Sequence, residues 1–582
     1  MPSHDVFARA MIQTPRGIAS LPVQAALLGL ALLLLLPIVG RYGSVSVDEG
    51  AAALQALRLE AGDGWSYDLP IPSIPSSDVV VPVDKAEPTD NGFAPFARHP
   101  LYAVLLAAGL RAGGHVGMVL LSMVGTVLAA AGAANLALQF STRRVALMSL
   151  WVTGLGSPLL FDSFILIAHT LGAAAVAWAI LVFLRSDEGH VVRRLGAGAA
   201  CVLVGVMVRS EILLVAVAVA LSWSLAAMRT RRWADAAVAA VTLLAAGGGL
   251  LIEDLWRARI GVASVGVGGP SGRARSDPAG FLSERVDAAT SSLWSAGDAR
   301  SGQLIALSGV VLAVLALCIR RGVGQRLWTV LGLLAVVPLI GVFGSGDGEL
   351  VPQLLVAMPA LVVAVVLGVG TVHLDRPAQL IVAVAGFSTA LIAATQYAEG
   401  GAVEWGGRYF AVLIPLVVPV TLHVLLMCLG ERRTRVAMLW PLVVSMCLIS
   451  AISVQALSGF NDRADRTLAM VSELSVPSEL ESEPRDARPI IVTSEFGAVR
   501  SDWRRYDQHR WVFIGDPEDG AARQDAQVAA LAEDLAEPRL VTLVTEHLDR
   551  DLARLGPHRI VGRPEAAGPF TVAIVELGDQ PT

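Results

Sequence analysis

Two adjacent carboxylates, Asp48 and Glu49, follow directly after the first apolar run of the sequence. A carboxylate can act as a general base, or it can stabilise the first turn of a helix at the positive end of the helix dipole. Arg98 and His99 stand just before Pro100, where a polar segment enters the next apolar run. Proline is common in a first helical turn, but capping does not explain the histidine, which can donate to a phosphate or bind a metal.

Further ionisable residues lie at the ends of apolar stretches, where a charge near hydrocarbon is a candidate functional group. These candidates are Asp162, Arg209, Glu211, Glu253, Asp254 and Arg408. Each also has a structural interpretation, because Arg209 and Glu211 can neutralise each other and single arginines can extend to the membrane interface. Together with Asp48, the acidic pair Glu253 and Asp254 could coordinate Mg²⁺ or Mn²⁺, and the sequence leaves a metal requirement open.

The composition indicates which elements position these residues. Of 582 residues, 54% are hydrophobic and only 16% are charged, whereas soluble domains carry about 25% charged residues. Uncharged runs such as 25–39, 117–134 and 212–227 approach the roughly 20 residues that cross the hydrocarbon core. This apolar composition makes the lipid bilayer the expected partner. The net charge of −6 is small, so we expect no nucleic-acid partner. All four cysteines lie in apolar runs, which argues against a disulfide framework.

Short arginine-rich loops predict the orientation, because Lys and Arg are retained on the cytoplasmic side. The loops are Arg143 with Arg144, 185–194, 229–232, 320–326 and 432–435. If all are inside, the chain forms a polytopic α-helical membrane protein with about 13 transmembrane helices. The run 195–228 must then cross twice, as two short helices that meet near Arg209, and the short apolar stretch after Pro100 is predicted to be an interfacial or re-entrant helix.

The same parity predicts three regions. Residues 1–20 form a cytoplasmic N-terminus and 21–457 a transmembrane module, with external segments at 41–99 and 253–302. Residues 458–582 form a small extracytoplasmic α/β domain. Lys85 is the only lysine in an arginine- and alanine-rich chain, which is typical of GC-rich bacterial genomes. With the apolar helices, we expect a multi-pass protein of a bacterial cytoplasmic (inner) membrane.

The C-terminal domain is predicted from alternating apolar stretches and one helical pattern at 521–535. The expected strands are 489–493, 511–514, 540–544 and 570–577. The domain shows no convincing catalytic set of residues. Asp502, Arg504 and Tyr506 are therefore interpreted as surface residues.

The acidic pair after the first helix, the long external loop and the sequence His99-Pro100-Leu101-Tyr102 together resemble the GT-C superfamily of membrane glycosyltransferases. This superfamily includes protein O-mannosyltransferases and lipid A aminoarabinose transferases, and its His-Pro-Pro-Leu-Tyr type of motif is present here with one proline missing. The run 205–211, broken by Arg-Ser, and Gly-Gly-Arg-Tyr-Phe at 406–410 are also similar to family motifs. The resemblance covers about residues 20–430 in layout. One departure is the featureless stretch after the acidic pair, in which the first basic residue is Arg58.

The resemblance implies an inverting transfer of a sugar from a polyprenyl-phosphate carrier to an acceptor hydroxyl outside the cytoplasmic membrane. The acceptor would be an envelope glycan, lipid or protein. Because a sugar phosphodiester has a good leaving group, the reaction mainly needs a carboxylate to take the acceptor proton and cations to stabilise the phosphate. Asp48, beside Glu49, is the predicted base, and Arg98, His99 and Arg408 are predicted to hold the donor phosphate.

Two other classes of protein compete with the enzyme. A transporter or flippase of a lipid-linked or envelope substrate would place its site near the bilayer midplane and often contains inverted repeats, whereas the charges here cluster at one face and no repeat is evident. A non-catalytic scaffold with an exported tail would explain the C-terminal domain but not the acidic pair.

Overall fold

The computed structural model describes residues 20–39, 47–69, 71, 83, 86–90, 92–185, 190–262, 278–294, 300–322, 324–345, 352–395, 406–429, 432–474, 490–494, 499, 503–514, 530–531, 540–555, 558–567 and 570–577. The helices are α1 (Leu21–Val39), α2 (Val47–Ala61), α3 (Pro100–Ala137), α4 (Arg143–Leu155), α5 (Leu159–Asp162), α6 (His169–Leu184), α7 (Val191–Val208), α8 (Glu211–Thr230), α9 (Trp233–Arg259), α10 (Pro278–Trp294), α11 (Arg300–Arg320), α12 (Gln325–Ser345), α13 (Leu354–Ala357), α14 (Pro359–Gly368), α15 (Arg376–Thr395), α16 (Ile414–Cys428), α17 (Arg432–Leu474) and α18 (Leu548–Arg554). The strands are β1 (Glu87–Thr89), β2 (Gly92–Ala94), β3 (Ile490–Thr493), β4 (Arg510–Phe513), β5 (Leu540–Thr545), β6 (His558–Ala567) and β7 (Phe570–Leu577).

Most of the helices form a bundle built for lipid. In the described part of the chain, ten helices are long and apolar enough to cross a membrane, and α6 and α14 are shorter apolar helices. The first helix, α1, carries no charge along its length and exposes leucines such as Leu30 and Leu34, as expected where hydrocarbon is the solvent. The polytopic helical fold is therefore confirmed, while the count of about thirteen crossings stays a prediction.

The long helix α3 is in fact two helices joined by a reversal at two glycines. Gly113 and Gly114 leave helical geometry, and Gly114 adopts a positive φ of 59° that only glycine adopts readily. The segments on either side then run back along each other, so closely that a Cβ on Gly117 would lie 2.0 Å from the carbonyl oxygen of Gly109. The separate short helix after His99 is thereby confirmed, whereas its depth in the bilayer stays a prediction.

A second break separates α7 from α8. Arg209 ends α7 in an extended conformation, with φ −160° and ψ 126°, and α8 begins again at Glu211. The two short helices predicted for 195–228 are therefore confirmed. Both pack on α9, which accounts for their position in the bundle.

The opposite ends of these helices carry the arginine-rich loops. There the Asp235 carboxylate accepts hydrogen bonds from Arg376 at 2.5 and 2.7 Å and from Thr230 at 3.1 Å, joining α8, α9 and α15. His423 of α16 lies 3.0 Å from the Ser141 hydroxyl, just before α4. The loops predicted to be cytoplasmic thus adjoin the end of the bundle away from the breaks.

The C-terminal domain is a five-stranded sheet with the order β4-β3-β5-β7-β6. Strand β3 pairs in parallel with β4 and β5, and β7 is antiparallel to β5 and β6. All four predicted strands are present, and β6 is an additional edge strand. The last bundle helix, α17, continues past 457 before the sheet begins. The predicted helical pattern at 521–535 lies outside the described residues except for 530–531.

One surface assignment in this domain was wrong. Tyr506 is only 3% exposed, because its ring packs edge-to-face on Tyr67 with 5.1 Å between the ring centroids. Arg504 is partly buried beside Trp503, and Asp502 lies outside the described residues. The contact with Tyr67 connects the domain to the first loop of the chain.

Candidate active site

The acidic pair occupies the first turn of α2, and its two carboxylates have different surroundings. Asp48 forms an ion pair with Arg408. Glu49 is 1% exposed, and its Oε1 accepts a 2.6 Å hydrogen bond from the backbone nitrogen of Leu166. Asp48 therefore contacts an arginine side chain, whereas Glu49 holds the backbone of Leu166.

The segment that Glu49 holds lies between α5 and α6. Two hydroxyls of α3 fix its other side, because Ser122 donates to the carbonyl of Ile165 at 2.7 Å and Thr126 lies 2.7 Å from the Ser163 hydroxyl. With these bonds made, Leu166 and its neighbour Ile167 form one wall of a cavity. Glu49 thus contributes to the cavity by shaping its wall.

The cavity has a volume of about 150 Å³ and lies where broken helices and helix ends meet. Its walls come from α2, the segment that leads into α3, the α7–α8 break and the segment that leads into α16. Six of the residues predicted from the sequence line it, namely Asp48, Arg98, His99, Arg209, Glu211 and Arg408. Four residues that had not been singled out as site residues also line it, namely Phe96, Tyr102, Ser210 and Tyr409.

Arg408 reaches Asp48 from a short 3-10 helix, Arg408–Leu413, that leads into α16. Gly406 and Gly407, with φ of 81° and 75°, turn the chain sharply before it. A Cβ on Gly406 would lie 2.2 Å from the ring of Pro158, so a larger residue would displace the turn. The glycines of the predicted Gly-Gly-Arg-Tyr motif thereby set the direction of the arginine.

The remaining basic side chains of the cavity have different partners. Arg209 donates to Glu211 at 2.8 Å, and both side chains are buried. His99 Nδ1 lies 3.4 Å from Oε1 of Glu253, which projects from α9. Arg98 is exposed at the rim and forms no ion pair with a described residue. Arg98 is therefore the cavity cation most available to an incoming anion.

The carboxylate arrangement does not fit a divalent cation. Asp48, Glu211 and Glu253 each contact a cationic side chain or a histidine, and Asp254 is exposed on the neighbouring face of α9. Among the described residues, no group of three His, Cys, Asp or Glu side chains is arranged to hold a metal. The trio of Asp48, Glu253 and Asp254 that the sequence suggested is not brought together, and we derive no step through a metal.

Asp162 lies outside the cavity lining. It is buried, with Oδ1 3.5 Å from Nδ1 of His169, which begins α6. Both residues flank the segment that Glu49 holds.

Another buried ion pair was not predicted from the sequence. Arg257 of α9 donates to Glu87 of β1 at 2.8 Å, tying the first external loop to the bundle. Burial raises the pKa of Glu87 above its ordinary value, an effect that Arg257 and Arg98 only partly offset. No local pattern marks such a pair, because its members lie far apart in the sequence. Tyr102, in contrast, belongs to the His-Pro-Leu-Tyr motif and could have been proposed from it.

The bundle, the reversal in α3 and the cavity at the helix breaks define a polytopic helical membrane protein. Among solved structures, the chain is similar to ArnT from Cupriavidus metallidurans bound to undecaprenyl phosphate, with 12% sequence identity and a TM-score of 0.52, covering 96% of this chain and 99% of that one. The same protein in the apo state matches with 12% identity and a TM-score of 0.44, over 96% of this chain and 100% of that one.

A third similar structure is the archaeal oligosaccharyltransferase AglB from Archaeoglobus fulgidus, in complex with an inhibitory peptide and a dolichol-phosphate. Its identity is 11% and its TM-score 0.46, over 90% of this chain and 69% of that one. No family model and no curated protein sequence matches the chain. At these identities the similarity concerns the fold.

Proposed function

We propose that this protein is an inverting glycosyltransferase that moves a sugar from a polyprenyl-phosphate carrier to an acceptor hydroxyl on the outer face of the cytoplasmic membrane. The observation that carries the proposal is the cavity in which Asp48 meets Arg98, His99 and Arg408. A carboxylate that borders one cavity with two arginines and a histidine matches what transfer from a sugar phosphodiester requires. The fold supports the proposal, since ArnT with the same fold was solved bound to undecaprenyl phosphate.

In the proposed reaction, Asp48 accepts the proton of the acceptor hydroxyl as its oxygen attacks the anomeric carbon of the sugar. The new carbon–oxygen bond forms on the face opposite the phosphate, and the bond from the sugar to the phosphate oxygen breaks. The polyprenyl phosphate leaves with the electron pair, and Arg98, His99 and Arg408 stabilise its charge. Arginine suits this role because its fork presents paired donors to phosphate oxygens.

The ion pair between Asp48 and Arg408 gives the proposed cycle an order. A donor phosphate that first meets Arg98 at the rim, where no described residue forms an ion pair with it, would next compete with Asp48 for Arg408. Once Arg408 has moved to the phosphate, the Asp48 carboxylate is released to accept a proton. Donor binding and activation of the base are then one event, which protects the donor from attack before it is held.

A large apolar groove supports a lipid-linked donor. It has a volume of about 590 Å³ and lies between α14, α15 and α16, lined by residues that include Leu361, Val365, Val382, Gly386, Val417 and Val420. The helix α16 begins directly after the segment that carries Arg408. At 1.5 Å per residue, Val417 lies roughly 12 Å or more along the helix from that cation. A carrier whose phosphate contacts Arg408 would thus place isoprene units in the groove.

The topology completes the proposal. With the arginine-rich loops inside, the cavity opens on the outer side of a bacterial inner membrane, where lipid-linked sugars meet envelope acceptors. We propose an envelope glycan, lipid or protein as the acceptor. The C-terminal domain lies on the same side as the cavity.

The proposal is tested by incubating purified protein in nanodiscs with labelled polyprenyl-phosphate sugars, candidate acceptors, and either a chelator or added Mg²⁺. We expect at least one donor to be turned over with inversion at the anomeric carbon, at the same rate with chelator. Failure of every donor to react or bind to the folded protein would overturn the proposal. Uptake of a donor into vesicles without transfer would instead identify a transporter.

A further inference from the structure

Two aromatic side chains of the C-terminal domain are buried against the first external loop. They lie in the 3-10 helix Trp503–Gln508, which packs on α2. Trp503 and Tyr506 are 2% and 3% exposed, although the surrounding sequence is polar. The Trp503 ring faces His115, directly after the reversal in α3, at a centroid distance of 6.1 Å. Tyr506 meets Tyr67 edge-to-face, an arrangement that stabilises aromatic pairs beyond their buried area.

Tyr67 connects this contact to the helix of the acidic pair. Its hydroxyl donates to the carbonyl oxygen of Leu54 in α2 at 3.2 Å. Its ring stacks on Phe93 at 5.9 Å, and the guanidinium of Arg58 from α2 lies 5.0 Å from the ring centroid. Tyr506 therefore supports a ring that is bonded to α2 on one side and to the β1–β2 hairpin on the other.

The next residue of α2 extends the connection to the cavity. Gln55 Nε2 donates to the carbonyl of Trp65 at 3.1 Å, and Gln55 Oε1 accepts from the backbone nitrogen of Phe96 at 3.3 Å. Phe96 lines the cavity together with Asp48. The loop thus fixes the C-terminal half of α2, and the C-terminal domain fixes the loop.

The loop also enters the core of the C-terminal domain itself. Ile71 is fully buried in the same apolar cluster as Val492 of β3 and Val512 of β4. This anchoring matters because α2 is a short helix, and isolated helices of about 15 residues are marginal in water. The position of α2 therefore depends on what packs against it.

We propose that Tyr506 is a positioning residue for the transfer reaction, which makes the C-terminal domain part of the catalytic unit. Tyr506 packs on Tyr67, Tyr67 is bonded to the C-terminal half of α2, and α2 places Asp48 at the cavity. The inference rests on the proposed function, since it assigns Asp48 the role of base. In the proposed reaction Arg408 contacts the donor phosphate, and the turn at Gly406 and Gly407 sets its direction. We therefore expect loss of the positioning to affect the chemical step more than donor binding.

The test compares full-length Tyr506→Ala, Tyr506→Phe and Arg559→Ala in nanodiscs. Arg559 is the control, because it belongs to the same domain but its side chain is 74% exposed on the edge strand β6. We expect kcat of Tyr506→Ala to fall at least about tenfold, because displacement of a catalytic group by about 1 Å costs up to about 10²-fold. The donor Kd should change by a smaller factor than kcat. Tyr506→Phe keeps the ring contact and restores kcat, and Arg559→Ala equals the wild type.

Hydrogen exchange separates positioning from general damage. In Tyr506→Ala we expect faster exchange of the α2 amides and unchanged exchange in β5, which reports on the fold of the domain. If β5 also loses protection, Tyr67→Phe replaces the variant, because it removes the bond to Leu54 while keeping the ring, and it should lower kcat about threefold. Wild-type kcat in Tyr506→Ala, or a matching loss in Arg559→Ala, overturns the inference. If Asp48→Asn is fully active, it is the proposed function that fails.

Discussion

Of the aspartates buried against arginine, Asp48 of the helix bundle and Asp551 of the C-terminal domain have contrasting surroundings. Asp551 follows β5 and is fully buried, accepting hydrogen bonds from Ser494 and Thr545, from Arg550 at 2.9 Å and from Arg554 at 3.2 Å. Burial raises the pKa of Asp551, but the hydrogen bonds from Arg550, Ser494 and Thr545 outweigh it and hold the pKa below its ordinary value. All of these donors converge on one carboxylate and satisfy it.

Asp48 has a similar partner but a different environment. Its ion pair with Arg408 borders a cavity of about 150 Å³, beside a second pair formed by Arg209 and Glu211. The exposed Arg98 adds a cation for which no described carboxylate is an ion-pair partner. Burial and pairing therefore occur in both regions, and only the space beside the pair and the additional cation distinguish a site from a structural network.

The largest effect is expected when Asp48 itself is replaced. Asp48→Asn keeps the size of the side chain but removes the proton acceptor, so we expect kcat to fall about 10³-fold, within the range for loss of a general base. The donor Kd, measured by titration with labelled lipid, should not weaken, because Arg408 is released to the phosphate. The matched control Asp551→Asn should keep wild-type kcat. Equal losses in both variants would contradict the distinction.

Removal of the shared cation should have the next largest effect. Arg408→Ala loses the fork that holds the phosphate, and we expect kcat/KM for the donor to fall about 10²-fold, since a transition-state charge then lacks one of its donors. Arg408→Lys should recover only part of this loss, because an ammonium cannot bind two phosphate oxygens side by side. Steady-state kinetics with varied donor measures both. Full recovery by lysine would show that charge alone is required.

At Asp551 the expected effect is on stability. Asp551→Asn removes a charged acceptor from several buried donors and should lower the free energy of unfolding of the domain by about 2 kcal/mol. Because the pKa of Asp551 is below its ordinary value of about 3.9, its contribution is full above that pH and is lost as the pH falls through the lower folded-state pKa. Hydrogen exchange of β5 between pH 6 and pH 3 measures this loss in the wild type, and Asp551→Asn should show less of it.

The contrast between the two regions also separates what the sequence predicts from what it cannot. Apolar run lengths and interrupting charges predicted the break at Arg209 and the short helix after Pro100, since both follow from local spacing. Alternating apolar residues predicted four strands. The edge strand β6 was missed because it carries charges, Gly562 and Pro564, which an edge tolerates but a pattern search discards.

The partners of the site residues could not be predicted in the same way. Asp48 and Arg408 are 360 positions apart, and no local period connects residues that only folding brings together. Tyr506 was assigned to the surface for the same reason, because its partner Tyr67 belongs to another domain of the sequence. Motif order selected six of the twelve residues that line the cavity, and local spacing suggested the pairing of Arg209 with Glu211, while the pairing of Asp48 with Arg408 needed the structure.

A smaller effect is expected in the apolar groove between α14, α15 and α16. In the proposed function this groove holds the isoprene units of the donor. Gly386→Leu adds a side chain to the groove lining, where a Cβ meets open space, and should raise KM about fivefold for long-chain donors and little for donors with two or three isoprene units. Gly341→Leu is the control, because it also meets open space but lies on α12, outside the groove. Equal effects on both chain lengths would argue against a carrier in the groove.

The smallest effect is expected at Glu49, and it distinguishes the role of Glu49 from that of Asp48. Glu49→Gln retains an oxygen that can accept the hydrogen bond from Leu166, so we expect kcat within about threefold of the wild type, as for replacement of one neutral acceptor by another of similar strength. Glu49→Ala leaves the Leu166 nitrogen unpaired in a buried wall and should lower kcat more than Glu49→Gln does. If Glu49→Gln instead loses as much activity as Asp48→Asn, the charge of Glu49 takes part in the chemistry and the pair acts as one unit.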